Sequence, residues 1–100
     1  MDRTMTMIKK LVSVIIPSYN HSAFIEQTIN SVLQQTYSNL EIIVVDDCST
    51  DSSVELIGAI EDKRIKKIFL DKNLGAVRAL NLGLKEATGE YILGDNYSEQ

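Results

Sequence analysis

Three carboxylates fall within six positions of the stretch EIIVVDDCSTDSS (41–53): Asp46, Asp47 and Asp51. A carboxylate can accept a hydrogen bond from the N–H of a nucleobase or from sugar hydroxyls, or it can ligate a hard cation. Asp51 has a plainer use, as the cap of a following helix, because Asp and Ser favour such turns. Asp46 and Asp47 are more than capping requires. Two like charges side by side repel, so a hydrogen-bond donor, a cation or water belongs beside them. Three more segments carry polar chemistry: Tyr19 in PSYN, Asn73 and Gly75 in DKNLGA, and Asp95 in GDNYSEQ. Tyr19 is a ring on which a flat base or sugar can lie, or a cap on the edge of the core. His21 is the only histidine, so it has no second His with which to share a metal. Cys48 is the only cysteine; it excludes an internal disulfide and reads as a small residue in a tight loop.

The elements that must hold these residues follow from periodicity. LVSVIIP (11–17) and LEIIVV (40–45) are continuous β-branched apolar runs, the pattern of strands buried on both faces. RIKKIFL (64–70) is a more polar strand, nearer an edge, and EYIL (90–93) begins a fourth. Between them lie three helical patterns. In SAFIEQTINSVLQQ (22–35), Ile25, Ile29, Val32 and Leu33 share a face, Ser22 is the expected N-cap and Glu26 suits the first turn. In SSVELIGAIE (52–61), Ser52 and Glu55 fit a capping box, with Thr50 or Asp51 as the other caps. In GAVRALNLGLKEA (75–87), Val77, Leu80 and Leu84 form the expected core stripe.

The order β-α-β-α-β-α-β with short connections implies a parallel three-layer α/β sandwich with right-handed crossovers. Ligands of such sheets bind beyond the carboxyl ends of the strands, where all four polar segments fall. The chain has 100 residues, 44% of them apolar, and a net charge of −4. That balance fits one globular unit and argues against nucleic acid as a partner, which needs a basic face. No apolar run is long enough to span a bilayer. The expected organisation is a flexible start at 1–10 and a single unit over 11–100.

Taken together, VSVIIPSYNHSAFIEQTINSVLQQTYSNLEIIVVDDCSTDSS and KNLGAVRALNLGLKEATGEYI resemble the opening of the family 2 glycosyltransferases with the GT-A fold, over residues 11 to about 93. The resemblance implies strand order 3-2-1-4 and a donor half that binds a nucleotide-sugar, commonly a UDP-sugar. It places Tyr19 against uracil, Pro17 at backbone contacts to the base, Asp47 as acceptor of the base N3–H and Asp46 as the residue that orients the loop. Gly75 belongs to the same nucleotide site. After the fourth strand the family carries a D-x-D-type motif for Mg²⁺ or Mn²⁺, and here only Asp95 stands there as a metal ligand. No catalytic base is expected within these residues, since the family supplies it from an acceptor-binding half. The expectation is therefore a truncated GT-A domain, a transferase of cell-wall or polysaccharide biosynthesis, inactive alone and cytoplasmic. It is expected to self-associate through the edge of strand 4. The alternative is a non-catalytic binding or signalling module, such as a phospho-acceptor receiver domain. That fold would place its acidic pair after the first strand, and here the pair follows the second.

Overall fold

The computed structural model of the chain describes residues 10–35 and 37–89, and the backbone of 91–94. Four parallel strands, β1 (Val12–Ser18), β2 (Leu40–Asp46), β3 (Ile65–Phe69) and β4 (Tyr91–Gly94), lie in the order β3-β2-β1-β4. Three helices connect them: α1 (Ile25–Leu33), α2 (Ser53–Ala59) and α3 (Ala76–Glu86). The register pairs Ile15 with Ile43 and Ser18 with Asp46, so β1 and β2 end level with each other. Both central strands are buried on both faces, as their unbroken β-branched runs require.

The pleat sorts these residues onto two cores. Val14, Ile16, Ile42 and Val44 face one side, where Ile25, Ile29 and Val32 of α1 and Ile57 of α2 cover them. Ile15, Ile43 and Val45 face the other, where α3 covers them. Ile42, Ile43, Val44 and Val45 have no exposed surface at all. At about 1.5–3 kcal/mol for each buried side chain, these four outweigh the cost of drawing the adjoining Asp46 inside, provided its oxygens find donors.

Three local expectations change. Helix α1 begins at Ile25, not at Ser22: the His21 carbonyl accepts the N–H groups of Phe24 and Ile25 at 2.9 and 2.8 Å, and this turn delays the helix. Phe24 holds the N-cap position without a side-chain cap bond. Ser52 likewise occupies the N-cap of α2 without a side-chain bond, and the Ser53 N–H is taken instead by Asp51 at 2.9 Å. The core stripe of α3 is Ala79 and Gly83 with Leu80 beside them, whereas Val77 is 71% exposed and Leu84 faces outward. The reason is proximity. A Cβ at Gly83 would lie 2.4 Å from Cγ2 of Ile15, so the helix is too near the sheet for larger residues on that face.

At the amino end of the sheet, Glu41 holds the approach to β4. Its carboxylate accepts bonds from the Ser13 hydroxyl at 2.6 Å and the Thr88 N–H at 2.6 Å, and Ser13 Oγ in turn accepts the Gly89 N–H at 2.7 Å. Burial pushes the Glu41 carboxyl up, but the bonds from Ser13 and Thr88 and the charge of Lys66 together bring it below the usual carboxylate range. A lowered native value means that this carboxylate contributes stability above the ordinary pKa and loses it as pH falls through the native one.

Two predictions follow from these contacts. Gly83→Ala should cost about 1–3 kcal/mol, because Ile15 is β-branched, wholly buried and has nowhere to go; urea denaturation would measure it. Wild-type stability should fall as pH drops below the ordinary carboxylate pKa, and Glu41→Gln should show a flatter profile over that window; unfolding midpoints at stepped pH test this.

Candidate nucleotide site

The two aspartates at the end of β2 do not share a space. Strand alternation continues from Val44 and Val45, so Asp46 turns toward the α1–α2 side and Asp47 toward α3. Asp46 is fully buried and accepts bonds from the Ser18 hydroxyl at 3.1 Å, the Ser49 N–H at 2.9 Å and the Ser49 hydroxyl at 2.7 Å. Asp47 is 3% exposed, and its oxygens accept the N–H groups of Leu74 at 2.7 Å and Gly75 at 2.9 Å. Its own carbonyl also accepts a bond from the Asn73 side-chain amide at 3.3 Å. Each carboxylate therefore has separate donors, and the repulsion is offset on opposite faces of one strand.

These bonds fix three loops to one another. The Ser49 hydroxyl that donates to Asp46 accepts the Asn20 N–H at 2.8 Å. The Asn20 side-chain oxygen accepts the N–H groups of Thr50 at 2.8 Å and Asp51 at 3.3 Å. The His21 N–H donates to Ser53 Oγ at 3.0 Å, and the Ser22 N–H donates to Asp51 at 3.0 Å. Asp51 thus ties two loops as well as serving α2. Its carboxyl is held well below the usual range, chiefly by the Ser53 hydroxyl; burial opposes this, and bonds from the Ser53 N–H and from Ser22 reinforce it. The tight path has a local cost: Asn20 and Cys48 sit at φ 52° and 64°, a left-handed conformation uncommon for side-chain-bearing residues. Gly75, the N-cap of α3, has φ 98° and needs its missing Cβ there.

Beyond the ends of β1 and β2 these loops border a cleft of about 270 Å³. Pro17, Tyr19, Asp47 and Gly75, all expected from sequence, line it together. Asp46 lies behind it as the anchor of the loop that carries Asp47. Asp95 lies outside the described residues. Asn73, which the sequence also singled out, lines the cleft too, and the structure adds His21 and the first turn of α3 to the walls. Ser18 and Ser49 were missed as partners of Asp46, and a single Ser at a strand end or in a loop gives no signal of such a role. The Tyr19 ring is 45% exposed, open to stack on a planar group. Each oxygen of Asp47 spends one lone pair on a backbone N–H and retains another, so the carboxylate is an acceptor held in a fixed position.

Among the described residues, no group of three or more His, Cys, Asp or Glu side chains is placed to hold a metal ion. A metal ligand at Asp95 falls outside the described region. No helix among the described residues is long and apolar enough to cross a membrane.

Residues 13–94 match Glycosyl transferase family 2. A Bacillus subtilis glycosyltransferase named for teichuronic acid biosynthesis, TuaG, is 47% identical over 90 residues, which is 88% of this chain and 36% of that protein. The S. aureus TarS structure in complex with UDP-GlcNAc superposes with a TM-score of 0.76 at 36% identity, over 83% of this chain and 25% of that one. The mannosyltransferase PcManGT from Pyrobaculum calidifontis, in complex with GDP-Man and Mn²⁺, gives 0.74 at 32% identity, over 81% and 25%. This chain therefore spans about a third of the length of TuaG. A match of this extent leaves no place for the receiver-like alternative, and the chain belongs to glycosyl transferase family 2 and has the opening β-α repeats of the GT-A fold.

Proposed function

We propose that this segment binds the nucleoside diphosphate of a nucleotide-sugar, specifically a UDP-sugar, in the cleft at the ends of β1 and β2. In the whole protein it would present the sugar for transfer to an acceptor. The observation that carries this reading is the fixed carboxylate of Asp47 beside the exposed ring of Tyr19. Uracil presents one N–H between two carbonyls, and an ionised carboxylate only accepts hydrogen bonds. A base seated on Tyr19 would meet in Asp47 an acceptor that no longer has to be ordered, and pre-organisation of this kind favours affinity. TarS in complex with UDP-GlcNAc supports the choice of base, and PcManGT with Mn²⁺ supports a divalent cation in the family.

In this reading Pro17 supplies a rigid wall, Gly75 fixes the turn that Asp47 holds, and Asp46 keeps the β2–α2 loop in register. A cation would draw on Asp95 and on the diphosphate oxygens. We assign sugar transfer to the whole protein; the relative TuaG is nearly three times as long as the segment it shares with this chain.

Isothermal titration with UDP tests the base site. Tyr19→Ala should weaken UDP binding by about 1–3 kcal/mol, the usual worth of a base–aromatic stack. Asp47→Asn should weaken UDP binding as well, because it removes one of the two acceptor oxygens offered to the base N–H. If both variants bind UDP as wild type does, the base lies elsewhere.

A further inference from the structure

We propose that the imidazole of His21 binds the phosphate oxyanions of the nucleotide, an inference that rests on the reading of the cleft just given. His21 lines the same cleft as Tyr19 and Asp47. Both of its backbone polar groups are already committed, the N–H to Ser53 Oγ at 3.0 Å and the carbonyl to the N–H groups of Phe24 and Ile25. The backbone is therefore fixed, and the ring is what the residue can offer a ligand. Among the described residues, none bonds that ring.

Among the described residues, the helix end nearest the cleft is taken and several cations are engaged elsewhere. The N-terminus of α3 is the usual seat for a phosphate next to such a cleft. Here the Asp47 carboxylate already occupies it, through the N–H groups of Leu74 and Gly75, and would repel a second anion. Arg78 and Lys85 border a separate cavity of about 200 Å³, with Leu74, Asn81 and Leu82. Arg64 is paired with Asp62 at 3.0 Å, and Lys67 donates to the carbonyls of Gly58 and Ile60. Among the described residues lining the cleft, His21 is the only one with a basic side chain. In a chain of net charge −4, a diphosphate held beside Asp47 needs such a donor.

The test compares uridine with UDP, by calorimetry on the chain as wild type, His21→Ala and His21→Lys. Loss of one charge-assisted bond to phosphate should weaken UDP binding about tenfold in His21→Ala, and uridine binding less than about twofold. His21→Lys should restore UDP affinity to within about threefold of wild type, because it places an N–H donor for phosphate at the same backbone position. This rescue also separates a phosphate contact from a general loss of folding. Equal weakening of uridine and UDP in His21→Ala, or unchanged UDP affinity, would overturn the assignment while leaving the base site intact. A wild-type chain that binds neither ligand would overturn the reading of the cleft, and this inference with it.

Discussion

The end of β2 sets the terms for everything around it. Four wholly buried apolar residues run into Asp46, which has no exposed surface either. A carboxylate there must be hydrogen-bonded, since an unpaired buried charge costs far more than any loop can return. Its donors are Ser18 from the end of β1 and Ser49 from the following loop. Satisfying Asp46 therefore brings the β1–α1 and β2–α2 loops together, and Asn20, Ser22 and Ser53 complete the seam. Asp47 does the same on the opposite face with the β3–α3 turn. The cleft lies among loops fixed by two carboxylates whose first task is structural.

The left-handed residues belong to the same economy of space. Asn20 tolerates its φ because its side chain satisfies two backbone N–H groups across the seam. Cys48 has no such compensation among its described bonds and sits directly between Asp47 and Ser49. Backbone strain of this kind collects at functional sites, where the surroundings over-determine an unfavourable conformation.

Much of the fold was legible because β-branched runs and i, i+4 spacing report directly on burial. The strand order and the placement of the polar segments at the carboxyl ends followed from these patterns together with the family resemblance. The face of α3 was not legible. Apolar periodicity marks large residues, whereas close packing on Ile15 requires small ones, so Val77 and Leu84 drew attention from Ala79 and Gly83. The clamp on Asp47 was hidden for a different reason. Its donors are main-chain N–H groups 27 and 28 positions away, and a backbone donor has no letter in the sequence. The residues that line the cleft could be named, but the bonds that hold them required the third dimension.

Among the described residues, α3 is the helix that covers the face of the sheet carrying Ile15, Ile43 and Val45, and it comes after the first three strands in the chain. During synthesis β1, β2 and β3 can pair as they emerge, and α1 and α2 can close over their own side. The opposite face stays open until residues 76–86 have left the ribosome, and β4 returns to pair with β1 later still. A nascent chain thus passes through a stage with one apolar layer bare, the condition in which intermediates aggregate and chaperones are recruited.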